Sequence, residues 1–195
     1  MDASTVADWL RAQPSLLGTP PRLDLGALPD DPVELFLTWI GDAARAQVPE
    51  PQATTLATVD ADGLPDARTL LLKDVSERGW AVAGQRSSRK GGQLVSHPAA
   101  ALNFWWQPLA RAVRVRGPVE EASRAESDAD LAARSPAARA TIAAGDWVLW
   151  RIQPTRIEFW QGSPDRRHTR IVYDLDGSGW SRETTRGEQG REGNP

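Results

Sequence analysis

Residues 54–73 read TTLATVDADGLPDARTLLLK, and this stretch decides the architecture. A short run rich in β-branched residues (54–59) is followed by Asp60-Ala61-Asp62-Gly63, a turn tetrad, and then by a leucine-rich run at 67–73. The spacing predicts strand, turn, strand. The pattern continues outward: residues 80–84 form a third strand after the turn ending at Gly79, and residues 99–106 and 112–122 a hairpin across 107–111. Residues 148–152 and 156–160 read as a last hairpin around Pro154. Six or more short strands separated by turn signals predict a mainly β fold, a small barrel with peripheral α-helices.

The helices are placed by their caps. Asp31 precedes Pro32 at a first helical position, and Phe36, Trp39, Ile40 and Ala43 recur at helical spacing until about Gln47. A polar loop at 86–90 leads into a short helix through Leu94 that stops at Pro98, and residues 123–143 read as a helix. Residues 1–30 are expected to be an arm, a short helix around Val6, Trp9 and Leu10 and then a Pro- and Gly-punctuated segment. Residues 31–180 are the barrel domain, and residues 181–195, with no apolar side chain, are expected to be a disordered tail.

Composition narrows the function classes. The 195 residues, 40% hydrophobic and 25% charged, suit one soluble domain. The net charge of −3 argues against wholesale nucleic-acid binding. Neither a membrane-length apolar run nor a basic-then-apolar leader pattern is seen, so no membrane partner and a cytoplasmic location are expected. The absence of cysteine removes thiolate chemistry, and two histidines give little support to a metal site; His97, before Pro98, reads as structural. Nine tryptophans lean toward an interface or an aromatic ligand. Only two of 23 basic residues are lysines, Lys73 and Lys90.

Three constellations carry candidate chemistry. Arg68 and Lys73 flank the apolar strand Leu70-Leu71 and are suited either to anionic ligand groups or simply to water at the strand ends. Ser87-Ser88-Arg89-Lys90-Gly91-Gly92 sits at a strand-to-helix junction, where exposed amides, hydroxyls and two cations make a phosphate cradle or a solvated basic turn; it lacks the order of a Walker loop. Glu158-Phe159-Trp160-Gln161-Gly162 followed by Arg166-Arg167-His168-Thr169-Arg170 looks like the rim of an anion site or an exposed arginine loop. In an extended segment Arg166 and His168 would share a face.

Taken in order, Arg-x-x-Leu-Leu-Lys from Arg68, Ser-Arg-Lys-Gly from Ser88, Glu-Phe-Trp-Gln-Gly from Glu158 and Arg-x-His-x-Arg from Arg166 resemble the pyridoxine/pyridoxamine 5′-phosphate oxidase family, over about residues 31–173. The resemblance implies an FMN-binding split β-barrel that works as a homodimer, with flavin sites at the interface. Arg68, Ser88, Arg89 and Lys90 match positions that hold the FMN phosphate and ring, Leu70 and Leu71 the strand beside the isoalloxazine, and Lys73 a residue near both flavin and substrate phosphate. Trp160 and Arg170 match flavin contacts made across the dimer interface. Arg166 and His168 match the catalytic pair over the substrate. The implied reaction passes hydride from a CH–NH₂ or CH–OH carbon to FMN and then to O₂, as in pyridoxine biosynthesis, with a small aromatic substrate that carries a phosphate in the family's type reaction.

The departures are specific. Ala83 and Gly84 stand where the family has an aromatic and a threonine, and Ala112 where it has a flavin-contacting glutamine. Leu131 and Ser135 stand at the tyrosine and arginine of the substrate-phosphate clamp, with Arg134 adjacent as a substitute. A long loop before the last hairpin and the family's C-terminal ending are missing. The altered clamp and Ala112 favour one alternative, an FMN-dependent oxidase of another aromatic metabolite, as in phenazine biosynthesis; a third reading is a split barrel that binds flavin or tetrapyrrole without turnover. Ser88-Arg89-Lys90 suits a phosphate, which ranks a deazaflavin below FMN.

Overall fold

Asp60 closes the first turn: its carboxylate accepts the N–H groups of Asp62 at 3.0 Å and Leu64 at 2.9 Å, and Gly63 supplies the positive φ of 81°. The hairpin this makes, β1 (Ala53–Val59) and β2 (Pro65–Leu71), is antiparallel with Thr55 opposite Thr69. In the computed structural model, which describes residues 3–187, eight further strands follow: β3 (Asp74–Ser76), β4 (Gly79–Gln85), β5 (Ala99–Trp106), β6 (Arg111–Glu121), β7 (Trp147–Ile152), β8 (Arg156–Gln161), β9 (Thr169–Asp176) and β10 (Gly179–Arg186). The helices are α1 (Ala3–Ala12), α2 (Pro32–Arg45), α3 (Arg89–Ser96), α4 (Arg124–Ala132) and α5 (Pro136–Arg139).

The strands run in the order β10-β9-β8-β6-β5-β1-β2, and the far end of β6 pairs with β7, which pairs with β4 and through it with β3. All pairings are antiparallel. One long strand, β6, thus belongs to both halves of a curled, open sheet: a split β-barrel. Helix α2 fills it. The Asp31 carboxylate accepts the Val33 N–H at 2.8 Å, and Leu35, Phe36, Trp39 and Ala43 are buried. Phe36 packs 4.3 Å from Trp80, and Trp39 meets Phe159 edge-on at 5.2 Å. Each such buried aromatic stabilises the barrel by roughly 1.5–3 kcal/mol. The arm is tied to it by Thr19 N–H to Pro108 O at 2.9 Å and Tyr173 O–H to Pro29 O at 2.7 Å.

Four sequence expectations are corrected. Residues 148–152 and 156–160 do not form a hairpin: β7 pairs with β4 and β6, β8 with β6 and β9. The chain between them crosses over β6, with Gln153 N–H to Pro118 O at 2.8 Å and Thr155 N–H to Arg116 O at 2.9 Å. Only glycine permits the crossing, because a Cβ on Gly117 would fall on the Gln153 carbonyl. The segment expected as one helix at 123–143 is two, because Ser135 accepts the Ala138 N–H and Pro136 restarts the helix as α5. Residues 181–186, expected in the disordered tail, pair along β9, with Thr184 opposite Ile171. An edge strand is held by backbone bonds and needs no apolar side chains. Residues 188–195 of that expected tail lie outside the described residues. The segment before β9 is not extended: Arg166 has φ of 63°, and its N–H bonds Ser163 O at 3.0 Å in a turn.

A cationic cleft at the seam of the barrel

Strand β2 ends at Leu71 and the chain changes sheets. Leu72 N–H bonds Gln52 O at 3.0 Å, and the next N–H, of Lys73, bonds Ala81 O at 2.8 Å. That bend breaks the alternation that would send Arg68 and Lys73 to opposite faces. It opens a cleft of about 290 Å³ lined by Leu70, Leu71 and Lys73, by Ala83 and Gly84 of β4, by Lys90 of α3 and by Arg134. Five residues expected at the site, Leu70, Leu71, Lys73, Lys90 and Arg134, from three separate parts of the chain, therefore share one cavity.

Helix α3 delivers Lys90. Ser88 caps the helix, accepting the Gly91 N–H at 3.3 Å and donating its hydroxyl to Gln85 O at 2.6 Å. Lys90 Nζ donates to the same Ser88 Oγ at 3.2 Å and has no carboxylate partner among the described residues. Burial pushes the Lys90 ammonium below the usual lysine range, and the nearby Arg68 guanidinium pushes it further. Arg68 does not line the cleft. Its Nη1 donates to Thr58 Oγ1 at 2.5 Å, its Nη2 to Gln93 Oε1 at 3.0 Å, and it pairs with Asp66 at 2.9 Å. Arg89 is exposed and reaches Asp66 at 3.1 Å. A hydrogen bond from Gln93, aided by Arg68, holds Asp66 below the usual carboxylate range, although burial opposes it.

Helix α4 delivers the opposite wall. Asp130 accepts the Trp147 indole N–H at 2.8 Å and pairs with Lys73 at 3.6 Å. The Arg134 guanidinium stacks 4.5 Å from the centroid of Trp147, and its buried Nε has no hydrogen-bond partner. A buried guanidinium nitrogen without an acceptor is costly unless an anion arrives. The positions aligned with a substrate clamp serve the fold instead: Leu131 packs against Ala81, Ala83, Trp147 and Leu149, and Ser135 caps α5.

Trp160, Arg166, His168 and Arg170 form a second cluster at the β8–β9 end. No hydrogen bond, ion pair or ring contact joins it to the cleft among the described residues. The His168 ring lies 4.9 Å from Trp160, and its Nδ1 accepts the Ser163 N–H at 3.1 Å. Burial first, then the Arg166 charge, lowers the His168 pKa from 6.5, with Asp165 opposing. The ring is therefore neutral near pH 7 with its proton on Nε2. Arg166 is exposed, and Arg170 pairs with Glu158 at 3.4 Å.

Sequence reasoning missed Thr58, Gln93, Asp66, Asp130 and Trp147. None carried a local signal: the i,i+4 spacing of Asp130 points to Arg134, whereas its partners are Trp147 and Lys73. Among the described residues no helix is long and apolar enough to cross a membrane, and no group of three or more His, Asp or Glu is placed to hold a metal ion.

Fold and cleft define the class: a split-barrel protein with a cation-lined cleft at the seam between its two half-sheets. Residues 40–161 match the family model for pyridoxamine 5′-phosphate oxidase, and residues 147–184 the model for the pyridoxine 5′-phosphate oxidase C-terminal dimerisation region. The chain is 42% identical over 184 residues to a pyridoxine/pyridoxamine 5′-phosphate oxidase of Thermosynechococcus vestitus, covering 78% of this chain and 87% of the relative. It is likewise 42% identical over 181 residues to that of Bordetella petrii, covering 77% and 86%. The chain belongs to the pyridoxine/pyridoxamine 5′-phosphate oxidase family. The same fold is seen in PhzG from Burkholderia lata in complex with tetrahydrophenazine-1-carboxylic acid, at a TM-score of 0.79 and 24% identity over 87% of this chain and 100% of that one. It is also seen in an FMN-binding, pyridoxamine 5′-phosphate oxidase-related protein from Nostoc punctiforme, at 0.66 and 18%, over 81% and 97%.

Proposed function

We propose that this protein is a homodimeric FMN-dependent oxidase of a flat, anionic aromatic substrate. The observation that carries the reading is Lys90, a half-buried ammonium with Arg68 beside it and no carboxylate to neutralise it, in a cleft that also holds the unpartnered Arg134 Nε. Such a cleft favours an anion, and the phosphate of FMN fits its donor set: Lys90 and Ser88 at the start of α3, with Arg68 and Arg89 around them. Leu70 and Leu71 would offer an apolar strand to the flavin ring, and Lys73 a charge between flavin and substrate. Trp160 and Arg170 lie apart from the cleft within one chain, so a second copy would supply them. The matched dimerisation region at 147–184 contains both and supports this.

FMN held by Lys90, Ser88, Arg68 and Arg89 would supply the two-electron acceptor for a CH–NH₂ or CH–OH carbon, with dioxygen as the final acceptor. The chain's own groups bind and orient. Arg166 holds the anionic substrate and keeps water off its face. His168, neutral and with Nδ1 engaged by Ser163, donates its Nε2 proton to a polar substituent of the substrate. Lys73 and Arg134 meet the substrate's anionic group.

Two substrate classes fit this chemistry. Identity of 42% to curated oxidases supports the vitamin B6 5′-phosphates. Leu131 and Ser135, both committed to packing and capping, favour a different anionic aromatic, of the kind bound by PhzG. Anaerobic addition of pyridoxamine 5′-phosphate to the FMN-loaded protein separates them. Bleaching of the flavin band, with peroxide released on admitting air, establishes the B6 reading; bleaching only by tetrahydrophenazine-1-carboxylic acid establishes the other. A flavin band that neither bleaches leaves a non-catalytic flavin binder and overturns the oxidase assignment.

A further inference from the structure

A row of four residues crosses the outer face of the larger half-sheet. Trp105 stands opposite Ala112, Ala112 opposite Trp160, and Trp160 opposite Arg170. Their chain neighbours Phe104, Val113, Phe159 and Ile171 are all buried, so by strand alternation the row points away from the core. Residue 112 has only a methyl group, and the indoles on either side lean toward each other over it, with ring centroids 6.1 Å apart at 50°. His168 continues the strip on the far side of Trp160, at 4.9 Å.

Trp160 thus has a ring neighbour in each of Trp105 and His168, with Arg170, paired to Glu158 at 3.4 Å, at the end of the row and the Arg166 charge acting on His168. Trp105 keeps 47% of its surface exposed, although it already has a ring partner. A large apolar side chain left half-open beside another indole marks a surface suited to a flat partner. The cations select one that is electron-rich or anionic, because guanidinium groups complement carbonyl-bearing ring edges. The pyrimidine side of an isoalloxazine has that character.

We infer that Trp105 is a flavin-positioning residue, forming with Trp160 a two-indole wall over Ala112 against which the isoalloxazine ring packs. The inference rests on the FMN reading above and deepens it. It also gives Ala112 a physical role: a longer side chain there would wedge the two indoles apart. The small residue at 112 and the large one at 105 then act as one unit.

The test is a titration of the full chain with FMN and with riboflavin, reading quenching of flavin fluorescence, for the wild type, Trp105→Ala, Trp105→Phe and Ala112→Leu. Riboflavin lacks the phosphate, so it isolates the ring contribution. Trp105→Ala should weaken both ligands by a similar factor, about tenfold, with Trp105→Phe recovering part of the loss. Ala112→Leu, which adds bulk without an amide, should weaken both as well, and should abolish the indole–indole exciton couplet in circular dichroism. Sedimentation at the same protein concentration and a thermal melt accompany each variant.

A wild type that binds no FMN removes the underlying reading and this inference with it. A wild type that binds FMN, with Trp105→Ala unchanged in affinity and quenching, overturns the inference alone. Unchanged FMN affinity with a raised substrate KM would assign Trp105 to the substrate instead, which also overturns it. Dissociation of Trp105→Ala into single chains, with flavin loss only as a consequence, would assign the residue to the contact between copies and overturn it equally.

Discussion

The Lys90 ammonium lies 2.5 Å from the point a Cβ on Gly84 would occupy. The glycine of β4 and the lysine of α3 are thus two halves of one arrangement: the missing side chain is the space the cation fills. Gly84→Ala displaces only the flexible end of Lys90, so its melting temperature should stay close to that of the wild type. FMN affinity should nevertheless drop several-fold as the ammonium is pushed from its place. A Gly84→Ala protein that binds FMN as tightly as the wild type would show that this position of Lys90 is irrelevant to the anion.

Lys90 itself should matter more. Charge-assisted hydrogen bonds to a phosphate are worth about 1.5–3 kcal/mol, so Lys90→Met should weaken FMN binding roughly tenfold to a hundredfold while riboflavin binding changes little. The sign of the pH effect follows from the lowered pKa of the free lysine. The folded apo-protein holds fewer protons than the unfolded chain between that lowered value and 10.5, so its stability rises with pH across the window. An anion favours the protonated form. FMN affinity should therefore fall as pH rises through the lowered Lys90 value, and Lys90→Met should lack that limb in fluorescence titrations.

His168 has a depressed pKa for the same kind of reason, burial in its turn with the Arg166 charge beside it. Between its folded value and 6.5 the unfolded chain binds more protons, so the free protein loses stability as pH falls through that window and no further below it. Proton NMR of the two histidine rings, assigned with His97→Gln, should place His168 below 6.5. Turnover should be retained down to the lowered value and lost beneath it. A His168 ring titrating above 6.5 would contradict the neutral donor assigned to it.

Asp42 and Arg111 make the sharpest stability prediction. Arg111 is 2% exposed, stacks 4.1 Å from the Trp39 ring centroid, and is neutralised by Asp42 at 2.7 Å, with Gln161 accepting from its Nε at 2.8 Å. Asp42→Ala strands a buried guanidinium and should cost about 3–5 kcal/mol in urea denaturation at fixed protein concentration. The double variant Asp42→Ala/Arg111→Met should recover much of that loss. An Asp42→Ala protein within 1 kcal/mol of the wild type would mean that Arg111 finds another partner or reaches water.

Local chemistry was legible where it acts over a few residues. The Asp60–Gly63 turn and the Asp31 cap each involve partners no more than four positions apart, and each appears where the spacing put it. The crossing of residues 153–155 over β6 was not legible. It is decided by Gly117 against the Gln153 carbonyl, a contact between segments that no local pattern links. Residues 181–186 of strand β10 escaped because their side chains are polar and exposed, and their support is the backbone of β9. At the site, the cations were found from motif order. The groups that orient them, Thr58, Gln93 and Asp130, were not, since each is brought to its partner by the fold.

The measurement closest to the central claim is a fluorescence titration of the purified chain with FMN, set beside riboflavin and inorganic phosphate as competitor. The account predicts saturation at one FMN per chain, clearly weaker binding of riboflavin, and displacement of FMN by phosphate at high concentration. Equal affinity for FMN and riboflavin would contradict it, because the cleft around Lys90 would then take no part in holding a phosphate.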